Sequence, residues 1–129
     1  MNDAVNHPKH YNGHPSGVEC IDLAEQMCFN LGNAFKYVWR SPNKGGIVDL
    51  RMAEWYLARE VQCLEGMTTF RRIVPSPLIA AVMASESEAR GDALAAIWMA
   101  NQSRTQRTAQ AALECVRDLI EIETKVATF

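Results

Sequence analysis

"VDLRMAEWYLAREVQCLEG", residues 48–66, decides how this chain folds. Leu50, Ala53, Leu57, Val61 and Leu64 recur at spacings of 3, 4, 4 and 3. Residues three and four apart share a helix face, so the stretch predicts a helix from about Val48 to Leu64 with one apolar stripe. Gly66 follows as a residue suited to a left-handed C-cap. Trp55 and Tyr56 lie off the stripe. Adjacent helical residues point about 100° apart, so one neighbour cannot bury both. One of the two is expected to meet a second surface, either another helix or another subunit.

Helical signals continue on both sides. Ser16-Gly17-Val18-Glu19 reads as a capping box for a helix from about Val18 to Leu31. Gly32 breaks or bends it, and Asn33 can cap a short helix over Ala34–Arg40. Ser41-Pro42-Asn43-Lys44-Gly45-Gly46 is a turn by composition. Beyond Pro75-Ser76-Pro77, Leu78 to Ala84 is short and apolar. Ser85-Glu86-Ser87-Glu88 offers a second capping box for a helix to Ala100. The last helix is expected from about Thr105 to Lys125, with Ala109, Ala112, Leu113, Val116, Leu119 and Ile120 in period. No run alternates like a half-buried strand, and Thr68 to Val74 is read as loop. The expectation is an all-α fold: one domain over residues 1–129, a bundle of five to six helices with an N-terminal His/Pro loop.

Composition narrows the functions. With 129 residues, 48% of them apolar, the chain can bury a core without disulfides or metal. A net charge of −2 gives no global pull toward DNA or an anionic membrane, and no partner of either kind is expected. Cys20, Cys28, Cys63 and Cys115 form no CxxC pair and read as free thiols of a reducing cytoplasm. No charged segment followed by an apolar run opens the sequence, so no signal peptide is expected. Ala93 to Ala100 is too short to span a bilayer.

Two clusters carry the candidate chemistry. "VNHPKHYNGHP", residues 5–15, holds all three histidines of the chain. His7, His10 and His14 are spaced as a helix would need for a metal, but Pro8 and Pro15 break helical geometry there. His, Lys and Tyr are good donors to phosphate, and proline lowers the cost of ordering such a loop. The second cluster is "GNAFKYVWRSPNKGG", residues 32–46. On a helix Asn33, Lys36 and Arg40 share one face, with Lys44 in the turn beyond. Such a stripe is commonly a solvated face; its place beside the His-rich loop favours a ligand. His7, His10, Tyr11, Asn33, Lys36, Arg40 and Lys44 are therefore expected to converge on a phosphate-bearing ligand. Catalytic residues are not assignable. Glu19, Asp22 and Glu25 fall on roughly one face and are the weak candidates for Mg²⁺, though acids there also suit a helix N-terminus.

"NHPKHYN", "GVECIDLAEQ", "GNAFKYVWRSPNKGG" and "DLRMAEWYL" together, over about residues 5–60, resemble the SaV-like family of small phage proteins, many of them described as nucleotide kinases. The family pattern runs HPxHY, GxECID, GNAxKYxWRxxxK and DLxKAxWYL; Arg51 stands where it carries a lysine. The resemblance implies a phage or prophage protein of the host bacterial cytoplasm that handles nucleotides and is kinase-like without a Walker P-loop. No such loop is present, "SPNKGG" not being one. Two other readings stand beside it. One is a non-catalytic sponge that sequesters nucleotide messengers of host immunity. The other is an Mg²⁺-dependent all-α nucleotide pyrophosphatase, although no clear second acid pair is present. Apolar surface on more than one side of the two long helices also predicts a closed homo-oligomer.

Overall fold

The computed structural model describes residues 13–66 and 76–127. Among them the fold is entirely helical: α1 (Cys20–Ala24), α2 (Phe29–Arg40), α3 (Gly46–Cys63), α4 (Pro77–Ser85), α5 (Glu88–Ser103) and α6 (Gln106–Ala127). Thr68 to Val74 lies outside the described residues, as do His7, His10 and Tyr11. No helix among the described residues is long and apolar enough to cross a membrane.

α3 is the central helix. It packs on α2 along one flank and on α6 along the other, while α5 closes the bundle against α6 and α2. The expected stripe is what it buries: Leu50, Ala53 and Leu57 are fully enclosed and Leu64 nearly so. Asp49 and Glu60 are also buried on that side. Glu60 accepts from Asn30 Nδ2 at 3.1 Å and from the Cys28 thiol at 3.4 Å. The periodic apolar residues of α6, Ala109, Ala112, Val116 and Leu119, lie wholly inside the chain. Each fully buried leucine contributes roughly 1.5–3 kcal/mol. Phe35, Val38 and Trp39 of α2 and Leu94 and Ile97 of α5 complete the core.

The caps differ from their expected positions. α1 has only five residues. Its N-cap is Glu19, and its reciprocal capping box pairs Glu19 with Asp22. Ser16 instead accepts the Val18 amide at 3.2 Å. α2 starts at Phe29 with Cys28 as N-cap, so Asn33 is interior and donates to Phe29 O at 2.7 Å. Gly32 does not break this helix; a Cβ there would lie 3.1 Å from Ala24 O, so glycine admits the close approach of α1. Ser87 rather than Ser85 caps α5, accepting from the Arg90 amide at 3.4 Å. A carboxylate or hydroxyl of the expected type sits at the starts of α1, α4 and α5, whereas Cys28 and Gly45 precede α2 and α3 with no side-chain cap; tertiary packing decides which group meets the free N–H groups.

All four cysteines are free thiols. Burial pushes the Cys20 thiol up to about 12, with Lys36 pulling weakly the other way. Burial also raises Cys28 and Cys115.

Candidate functional site

Asn33, Lys36 and Arg40 share one face of α2, and the spacing that places them there carries Phe29 and Tyr37 onto it as well. Lys36 Nζ donates to Asn33 Oδ1 at 3.2 Å and lies 4.5 Å from the centre of the Tyr37 ring. The Arg40 guanidinium lies 5.5 Å from the same ring. Tyr37 stacks across the helix pair on Tyr56 of α3, with centroids 6.0 Å apart and planes 15° apart. Phe29 and Trp55 each meet Tyr56 edge-on, at 5.9 and 5.1 Å. Phe29 is 75% exposed and Trp55 59% exposed. The result is a strip of rings with two cations along one border.

Arg40 is anchored. Its Nε donates to Asp49 Oδ2 at 3.1 Å, and the same oxygen accepts the Gly45 amide at 2.9 Å. A Cβ on Gly45 would fall 2.3 Å from the Asp49 carboxyl carbon, so only glycine lets that carboxylate sit over the turn. Gly46 follows at φ +53°, a left-handed conformation. The "SPNKGG" turn is thus shaped to join α2 to α3 through an Arg40–Asp49 pair, which fixes where the guanidinium points. Lys44 is exposed in that turn.

The structure therefore brings Asn33, Lys36 and Arg40 together. His7, His10 and Tyr11 fall outside the described residues. Glu19 and Asp22, the weak metal candidates, are engaged with each other's backbone as the α1 cap. Among the described residues no group of three or more His, Cys, Asp or Glu side chains could hold a metal ion.

The third histidine has a different role. The Nδ1 lone pair of His14 accepts from Ser16, whose amide nitrogen is 3.1 Å away and whose hydroxyl is 2.7 Å away. That leaves Nε2 to carry the proton and donate to Glu86 Oε1 at 2.6 Å. The ring packs on Trp39 with centroids 4.3 Å apart. Glu86 in turn accepts from Arg90 Nε at 3.2 Å. Arg90 is buried and donates to Val38 O, to Ser41 Oγ at 3.0 Å and to Glu123 at 3.4 Å. One chain of polar contacts thus runs from the end of the His/Pro segment, through the α4–α5 junction, to the C-terminus of α2. There a buried cation donates to the Val38 carbonyl, in the last turn of α2, and meets the negative end of the helix dipole.

Sequence reasoning missed Phe29 because the expected start of α2 lay beyond it, and the Tyr37–Tyr56 stack because it joins two helices. Continuing the Asn33–Lys36–Arg40 face back by four residues would have found Phe29. Glu86 and Arg90 are an i,i+4 pair, but nothing local in the sequence joins them to His14, 72 residues before Glu86.

No curated protein and no solved structure matches the chain. Residues 5–58, which end within α3 and contain the whole polar and aromatic face of α2, are similar to a family described as a protein of unknown function (DUF3310).

Proposed function

We propose that this protein binds a phosphate-bearing nucleotide on the α2–α3 face. The observation that carries the reading is the bordered strip of rings: Lys36 and Arg40 flank Tyr37, which leads through Tyr56 to the exposed Phe29 and Trp55. Every nucleobase has a π-face, and stacking on an aromatic side chain contributes about 1–3 kcal/mol per base. Cations at the border supply charge-assisted contacts to phosphate oxygens. Arg40, pinned by Asp49, loses little side-chain freedom on making such a contact. His7, His10 and Tyr11 belong to the same reading as donors from the His/Pro loop. The resemblance to phage proteins adds a phage or prophage setting.

Binding without turnover is the form we favour, as expected of a sponge. The carboxylate nearest the cations, Asp49, is committed to Arg40 and the Gly45 amide, and Glu19 and Asp22 are committed to a helix cap. A closed homo-oligomer belongs to the same reading. Val48, Met52 and Trp55 follow each other at spacings of 4 and 3 on the outer face of α3, and all three are exposed. The α6 stripe expected to share in subunit contact is instead buried within the chain.

The test is calorimetry with a panel of nucleotides, followed by recovery of the ligand after denaturation. Intact ligand supports sequestration; monophosphate turnover with ATP supports a kinase; pyrophosphate release supports a hydrolase. No affinity for any nucleotide, with the protein folded, overturns the reading.

A further inference from the structure

A second, separate feature lies on the other flank of α3. Between α3 and α6 runs a groove of about 400 Å³, within the size range of small-molecule sites. Arg51 and Glu54 line it from α3, and Arg117, Ile120, Thr124 and Lys125 from α6. Arg51 points about 140° away from Tyr56 around α3 and about 40° from Trp55, at 100° per residue, so the groove lies away from Tyr37, Tyr56 and the α2 cations and nearest the Trp55 end of the strip.

The charge arrangement is specific. Glu54 receives Arg51 Nη1 on one carboxylate oxygen at 3.2 Å and Arg117 Nε on the other at 3.2 Å. One carboxylate thus holds two guanidiniums from different helices side by side, offsetting the repulsion that would otherwise part them. Each arginine has five N–H donors and gives Glu54 a single contact. Most of both forks therefore stays available to the groove. Lys125 adds a third cation, paired with Glu121 at 3.1 Å, so three cations stand against two carboxylates on a protein whose net charge is negative.

We infer that this groove binds a phosphate monoester. A carboxylate presents two oxygens in one plane, which a single guanidinium fork already matches. Two forks from two helices, with the Thr124 hydroxyl and an ammonium nearby, suit an anion whose terminal oxygens point in three directions. Ile120 supplies apolar wall for the esterified group. Glu54 stays in place as the carboxylate that positions the two guanidiniums.

The experiment follows backbone amide shifts while inorganic phosphate is titrated into the protein at low ionic strength, with chloride at matched ionic strength as control. The expected result is a saturable response centred on Arg51–Glu54 and Arg117–Lys125 that chloride does not produce. Arg51→Gln and Arg117→Gln should each weaken it roughly tenfold, the loss of one charge-assisted contact. Both side chains are more than half exposed, so both variants should fold. Lys125→Gln leaves every Glu54 contact intact and should weaken it several-fold. Lys36→Ala should leave it unchanged, which separates this groove from the α2–α3 face. A response that never saturates, that chloride reproduces, or that survives both arginine substitutions overturns the inference.

Discussion

Arg40 and Arg90 are both held by carboxylates, yet they serve the molecule in opposite ways. Arg40 belongs to the N-terminal half of the chain, within the residues 5–58 that resemble the family of unknown function, and its guanidinium sits at the border of an exposed strip of rings. Arg90 belongs to the other half. It is enclosed by Glu86, Glu123, Ser41 and the Val38 carbonyl, and it reaches into the first half to do so. The same division holds more widely. α2 and the outer face of α3 present Phe29, Met52 and Trp55 to solvent, whereas α5 and α6 turn Leu94, Ile97, Val116 and Leu119 inward. Through Arg90 the C-terminal half acts as a scaffold for the end of α2, and the N-terminal half carries the exposed strip of rings.

The sharpest way to break that comparison is Arg90→Ala. Removing the cation leaves buried Glu86 without its guanidinium and the end of α2 without its donor. We expect a loss of about 3–5 kcal/mol, the usual cost of orphaning a buried charge, read as a lower denaturation midpoint in urea. If Arg90→Ala unfolds at the wild-type midpoint, the scaffold role is gone.

Alkaline pH probes the same core without a substitution. The folded Cys20 thiol is pushed from an ordinary 9.0 up to about 12 by burial. Below pH 9 the thiol is protonated in both states and stability is unaffected. Between pH 9 and 12 the unfolded chain ionises while the folded one resists, so stability falls as pH rises, by about 4 kcal/mol over the window. Cys20→Ala should flatten that part of the stability–pH curve. An unchanged slope in the variant would remove Cys20 as its cause.

On the ligand side the effects are smaller and leave the fold intact. Lys36→Ala should weaken nucleotide binding by about 1.5–3 kcal/mol, the range for a charge-assisted contact, with no shift in melting temperature. Arg40→Ala is a poorer probe, since it also leaves buried Asp49 without its cation; paired with Asp49→Asn it becomes interpretable. Wild-type affinity in Lys36→Ala would exclude its face as the site.

The smallest expected change in stability, within about 0.5 kcal/mol, belongs to Trp55→Glu. Its readout is mass instead. Light scattering should show an oligomer in the parent chain and a monomer in the variant. Leu119→Glu cannot serve for this purpose, because Leu119 is buried inside the chain.

Most of the architecture is legible in the residues themselves. The 3-4-4-3 spacing of Leu50 to Leu64 and the period of Ala109 to Ile120 identify two long helices, because an apolar face at helical spacing can be buried in only one backbone geometry. The polar alignment of Asn33, Lys36 and Arg40 follows from that geometry with no tertiary information. Other features depend on which elements meet in space. Gly32 reads as a helix break until α1 is seen to press its Ala24 carbonyl against that position. Glu19 and Asp22 read as metal candidates until α1 begins between them. His14 reads as a third loop histidine until Glu86, 72 residues away, accepts from its Nε2. Periodicity is a property of neighbours along the chain, so sequence alone determined the helices and their faces. Partnership of a buried polar group is a property of whatever packing brings within about 3 Å, and only the tertiary structure decided whether an acid caps a helix, holds an arginine or faces solvent.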